Sequence, residues 1–179
     1  SVQGRIMKIL RYIAPLAALT LAGCETQTSD ESDAIAKLSN CEKVLALVDE
    51  HPNQFSRLRV NSKNTGAITV WDARHHLVGK NCQVWGWGKG KTDYMCSKTA
   101  PDQAIAQEYF DTAKQLVQSC IGNSWSLSER ARKVGTGVKA VFSRENSATV
   151  IAVHAVETKG LFKDEWTAYF FVGDSNEEI

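Results

Sequence analysis

The sequence predicts an α+β fold in which two helices pack on a largely antiparallel sheet, in the order helix, three strands, helix, three strands. Three observations predict it. Two stretches repeat apolar residues at three- and four-residue spacing, the runs between and after them are rich in β-branched and aromatic residues, and glycine- or charge-rich turns separate those runs.

The first helix is expected from Asp33 to Val48, where Ile35, Leu38, Cys41, Leu45 and Val48 fall on one face; Pro52 marks its end. Three strands follow: AITVWDA from Ala67, NCQVWGW from Asn81 and TDYMCS from Thr92. Gly88-Lys89-Gly90 separates the last two, and a short glycine-containing loop closes a hairpin. Folding about Lys89 sets Cys82 opposite Cys96, Val84 opposite Tyr94 and Trp87 opposite Lys91. The second helix opens with Thr99 as N-cap and Pro101 in its first turn, then aligns Ile105, Tyr109, Ala113, Leu116, Val117 and Cys120 before Gly122. Three further strands, VKAVFS, ATVIAVHAV and EWTAYFFVG, occupy Gly137 to Gly173. Each half thus reads as a cysteine-bearing helix followed by antiparallel strands, consistent with an internal duplication, although sequence identity between the halves is slight.

The ends of the chain carry a different grammar. Residues 1–6 read as an upstream or non-native extension, with Met7 as the start. Lys8 and Arg11 precede the apolar run Ile13 to Leu21, which is about half the roughly 20 residues a membrane-spanning helix needs. Residues 7–23 are therefore expected to be an export signal. Leu21-Ala22-Gly23-Cys24 resembles the lipobox of bacterial lipoproteins, a likeness that covers residues 7–24. The resemblance implies that the Cys24 thiol is acylated and becomes the N-terminus, which anchors the protein to membrane lipid without spanning it. In enteric-type bacteria an aspartate after that cysteine favours the inner membrane; Glu25 there implies the outer membrane, facing the periplasm.

Residues 24–33 are polar and acidic, a flexible tether, and residues 34–179 form one globular domain. Loss of residues 1–23 removes Arg5, Lys8 and Arg11 and no acid, so 21 Lys and Arg become 18 against 20 Asp and Glu. A near-neutral domain of about 156 residues has room for one normal core and lacks the basic footprint that nucleic acid calls for.

Cys41, Cys82, Cys96 and Cys120 remain, none in metal-ligand spacing. In an oxidising compartment they read as two disulfides. The hairpin register gives Cys82 with Cys96, and elimination gives Cys41 with Cys120, clamping helix to helix; swapped pairings stay open, since four cysteines permit three connectivities.

Chemistry is sparse. His75 and His76 fall in a surface turn, and His154 reads as a hydrogen-bonded member of a sheet face. No nucleophile elbow, zinc-protease or phosphate-loop pattern occurs. Catalytic residues, metals and cofactors are not expected. Trp85 and Trp87 lie with Gln83 on the strand face opposite Cys82 and Val84. Covered by a helix, the indoles are core; exposed, Trp85, Trp87 and Lys91 form a platform for a protein partner or a glycan. The leading expectation is a non-catalytic envelope lipoprotein that binds another protein, as an assembly factor or an immunity protein. A peptidoglycan-binding module and, last, an enzyme built around His154 are the alternatives.

Overall fold

A computed structural model describes residues 34, 37–160 and 163–174. The expected signal, the lipidated Cys24 and the tether lie outside the described residues. Helix α1 (Asn40–Glu50) begins where Ser39, in extended backbone, accepts the Glu42 N–H and the Glu42 carboxylate accepts the Ser39 N–H at 2.7 Å. This reciprocal cap overrides the apolar periodicity that placed the helix start near Asp33. A 3-10 turn (His51–Asn53) containing Pro52 ends it.

The strands are β1 (Arg59–Asn64), β2 (Thr69–Ala73), β3 (Asn81–Gly88) and β4 (Lys91–Ala100), then, after helix α2 (Gln103–Cys120), β5 (Trp125–Ala131), β6 (Gly137–Arg144), β7 (Thr149–Thr158) and β8 (Glu165–Asp174). Four strands follow each helix, which corrects the expected three. The two missed strands, β1 and β5, form the outer edges of the sheet and carry mostly exposed polar side chains, so neither shows apolar alternation. All eight strands join in one antiparallel sheet, ordered β1-β2-β3-β4-β8-β7-β6-β5. Each helix is thus followed by a four-stranded meander, and the two meanders meet where β4 lies beside β8.

The N-cap of α2 is Asp102, whose carboxylate accepts the Ile105 N–H at 2.9 Å. Thr99, expected in that role, is still in β4, paired with Thr167. The β3–β4 hairpin turns at Lys89 and Gly90, both at positive φ (52° and 76°), the conformation of a tight primed turn that follows strand twist. Cys82 faces Cys96 and Val84 faces Tyr94, but Gly88, not Trp87, lies opposite Lys91 because a bulge falls between Gly86 and Gly88.

Both helices cover one face of the sheet. Val44 and Leu47 of α1, with Phe110, Ala113 and Val117 of α2, share a single core with Tyr94, Val153, Phe170 and Val172. Helix α2 lies against β4, β7 and β8, while α1 packs chiefly on α2 and β7. Two disulfides fix this arrangement. Cys41 is bonded to Cys120, tying the start of α1 to the end of α2, and Cys82 to Cys96, across neighbouring strands. Trp71, Trp125 and Trp166 pack against the same core, half buried.

Beyond the helices the core over β3 and β4 is closed by irregular chain. Phe55 and Leu58, after α1, are buried there, and the Phe55 ring sits 6.2 Å from that of Tyr94. The Tyr94 hydroxyl donates to the His75 carbonyl at 2.7 Å, which draws the segment between β2 and β3 over the sheet. His75 is consequently fully buried and only His76 is exposed, which corrects the surface turn expected for the pair.

Candidate functional site

The sheet face turned away from the helices is where the sequence's candidate residues gather. Alternation places Gln83, Trp85 and Trp87 on it, opposite the Cys82–Cys96 bond. No helix among the described residues covers the indoles. Trp87 is 44 % exposed, Trp85 is half buried, and their ring centroids stand 5.4 Å apart at 40°. Lys91 is exposed on the same face, at the mouth of the hairpin.

The indoles are held in place. Trp87 Nε1 donates to Asp93 Oδ2 at 2.6 Å, and Trp85 Nε1 donates to Gln83 Oε1 at 3.2 Å. Asp93 is buried, and the space for its carboxylate comes from the neighbouring strand: a Cβ at Gly173 would lie 2.2 Å from Asp93 Oδ1 and 2.4 Å from the Phe171 ring. Only glycine fits there. A charge-assisted bond to a buried carboxylate is stronger than a neutral one, so the Trp87 ring is fixed even though one side of it meets water. Asp93 and Gly173 were not singled out from the sequence; the available signal was a lone carboxylate at a strand position facing Trp85.

Further across the same face lies His154, which is buried. It stands between Lys139 on β6 and Tyr169 on β8. Arg132, just beyond β5, places Nη1 2.9 Å from His154 Nδ1, and Arg132 Nε donates to the Val134 carbonyl. A guanidinium can only donate, so Nδ1 accepts and the ring carries its proton on Nε2. That Nε2 has no partner among the described residues. Burial, with the charges of Lys139 and Arg132, pushes the His154 pKa down to about 3, which keeps the ring neutral. An imidazole held neutral by cations, with no carboxylate to orient it, is poorly arranged for general-base work.

On the helix side, His51 Nδ1 lies 2.7 Å from the Thr149 hydroxyl and Nε2 3.9 Å from Asp174 Oδ1. The order of hydroxyl, imidazole and carboxylate is that of a nucleophilic relay, but the carboxylate is beyond hydrogen-bond reach and Thr149 is buried. The cluster joins the turn after α1 to the start of β7 and the end of β8, beside a cleft of about 380 Å³. A second cleft, of about 320 Å³, is lined by His75, Glu50 and Arg57. Burial raises the Glu50 carboxyl, but its hydrogen bonds and ion pair with Arg57 outweigh that and hold it below its ordinary value. Among the described residues no group of three or more His, Cys, Asp or Glu is placed to hold a metal ion.

Comparison with protein-family models, curated proteins and solved structures finds no match for this chain. Fold and face define its class: among the described residues, an α+β domain with helices α1 and α2 on one side of an eight-stranded sheet, whose other face carries indoles and cations.

Proposed function

We propose that the chain is a membrane-anchored envelope lipoprotein whose globular domain binds another protein through the helix-free sheet face and performs no catalysis. The observation that carries this reading is the Trp87–Asp93 pair. A large indole is left in solvent yet locked by a buried carboxylate, a pre-organised contact that loses little side-chain entropy on association. Tryptophan is enriched among residues that dominate binding energy, and polar surroundings like Gln83 and Lys91 suit the rim of such a contact.

In this reading acylated Cys24 holds the domain at the envelope membrane, with the outer membrane favoured by Glu25, and residues 25–33 let the face reach its partner. An envelope-assembly factor and an immunity protein are both compatible roles. The repeated order of helix and four-stranded meander supports descent by duplication of one such unit.

A photo-crosslinking amino acid in place of Trp87, compared with one at exposed Gln118 on α2, tests the reading in intact cells. A discrete protein adduct from position 87 and none from 118 is expected. Absence of a protein adduct from 87, together with an indole fluorescence change on titration with peptidoglycan fragments, would transfer the face to glycan binding, the second use open to paired exposed indoles.

A further inference from the structure

The hairpin that carries the indoles has a second side. Thr92 and Asp93 are neighbours in β4 and so point to opposite faces of the sheet: Asp93 holds Trp87, while Thr92 lines the cleft of about 380 Å³ on the helix side. Four separate stretches of chain build that cleft. The turn after α1 supplies His51 and Gln54, the hairpin Thr92, the β6–β7 turn Asn146 and Thr149, and the end of β8 Asp174. Its volume lies within the range of small-molecule sites.

The lining combines amides, hydroxyls, an imidazole and one carboxylate, and among the described residues neither Lys nor Arg contributes to it. An anionic ligand would meet the Asp174 charge with no lining cation to offset it. His51 Nδ1 is engaged with the Thr149 hydroxyl at 2.7 Å, and burial, which the Asp174 charge opposes, draws the ring below its ordinary value and keeps it neutral at pH 7. Nε2 and Asp174 Oδ1 stand 3.9 Å apart, too far for a hydrogen bond, but an oxygen placed about 2.8 Å from each bridges them. A hydroxyl suits that position. It gives its proton to the carboxylate and, in the tautomer where Thr149 donates to Nδ1, takes one from Nε2. The Asp174 side chain is 28 % exposed, and Gln54 and Asn146 are exposed, so their polar groups are within a ligand's reach. Pro52, also in the lining, offers apolar surface to the C–H groups of a ring.

We propose that this cleft is a saccharide site that takes one neutral sugar unit, a hexose or N-acetylhexosamine, with ring hydroxyls bridging His51 and Asp174 and held by the amides of Gln54 and Asn146. It stands apart from the protein-binding reading, because the indoles lie on the other face of the hairpin.

The test titrates the full chain, labelled with ¹⁵N in histidine and tryptophan and held in micelles of a neutral detergent without a sugar headgroup, with glucose and N-acetylglucosamine, and with glucuronate as the anionic control. At least one neutral sugar is expected to shift the His51 ring nitrogens saturably at millimolar concentration while the Trp87 indole N–H stays unmoved, and glucuronate to bind several-fold more weakly. Asp174→Asn should weaken binding about 10-fold, the loss of a hydrogen bond to a charged group. Gln54 and Asn146 both hold φ at 58°, a conformation glycine adopts freely, so Gln54→Gly and Asn146→Gly remove the amides without straining the fold. Each should weaken binding about 3- to 10-fold and leave the denaturant midpoint no lower. Should Asp174→Asn unfold, the glycine variants decide. No saturable shift at His51 with either neutral sugar overturns the site, as does binding that both glycine variants leave unchanged. Shifts confined to Trp87 overturn it in favour of the indole face, and glucuronate binding as tightly as the neutral sugars overturns it in favour of an anion site. The Trp87 photo-adduct in cells is read separately from all of these, so the protein-binding reading fails or stands on its own.

Discussion

The two helix-and-meander units share a topology and differ in how each is closed. Over the second unit, α2 lies along β7 and β8, and Val153 and Phe170 share the common core with Ala113 and Val117. Over the first unit, α1 has moved onto α2 and β7; α2 reaches as far as β4, and irregular chain closes the rest. There the sheet is secured by other means, the Cys82–Cys96 bond and the Tyr94 hydroxyl on the His75 carbonyl. One row of the sheet shows the exchange directly, running Cys82, Cys96, Phe170, Val153: sulfur on one side of the junction, hydrocarbon on the other. A sheet can therefore be closed over either by a helix or by a covalent staple with a few buried polar links.

The largest loss is expected where the units are bound together. Cys41→Ala with Cys120→Ala opens a cross-link spanning 79 residues and should cost about 4 to 5 kcal/mol by chain entropy, read from denaturant midpoints. Phe110→Ala comes next, at about 3 to 5 kcal/mol. Because α2 touches strands on both sides of the junction, hydrogen exchange should quicken in β4 and β8 alike; acceleration confined to β8 would break the idea that α2 serves both units.

Cys82→Ala with Cys96→Ala, a 14-residue link, should cost about 3 kcal/mol, with exchange rising in β3 and β4 ahead of β7. Uniform acceleration would mean that the first unit does not depend on its staple more than the second.

Each unit also encloses a histidine that resists protonation. Burial, then the charge of Lys43, pushes His75 down to about 4, and burial, then Lys139 and Arg132, pushes His154 down to about 3, from an ordinary 6.5. Below pH 6.5 the unfolded chain therefore binds more protons than the folded one. Stability is full above that pH and declines as pH falls toward 4, by up to about 1.4 kcal/mol per pH unit for each histidine. Denaturant titrations at pH 7, 6, 5 and 4 check this, and His154→Gln should flatten the slope without abolishing it, since His75 and His51 remain. The smallest effect is expected from Trp87→Phe, about 1 kcal/mol for the bond to Asp93, while binding through the face should suffer more than stability does.

What could be read from the sequence tracks apolar patterning. Six of the strands, both helices and the hairpin register about Cys82 and Cys96 follow from it. The edge strands do not, because Arg59 to Asn64 and Trp125 to Ala131 turn mostly polar side chains to solvent and owe their extension to a neighbour. The helix starts were misplaced where a side chain decided them, Ser39 with Glu42 in one case and Asp102 in the other. His75 looked like a turn residue because the group that buries its segment, Tyr94, is distant in sequence. At the candidate face, Trp85 and Trp87 were visible, but whether a helix covers them depends on where two helices come to rest. Arg132 and Lys139 joined His154 only through the pairing of β6 and β7 and the turn after β5.

The Cys41–Cys120 bond has a mechanical consequence. Cys41 is the second residue of α1, and its partner is the last residue of α2. Tension applied to the chain ahead of Ser39 reaches Cys41 and crosses the sulfur bridge into the chain at Cys120. Residues 42–119, with most of α1, the whole first meander and most of α2, form a loop that bears none of that load. A domain pulled from its N-terminal side would have to yield at β5 and beyond, while the strands that carry Trp85 and Trp87 stay slack.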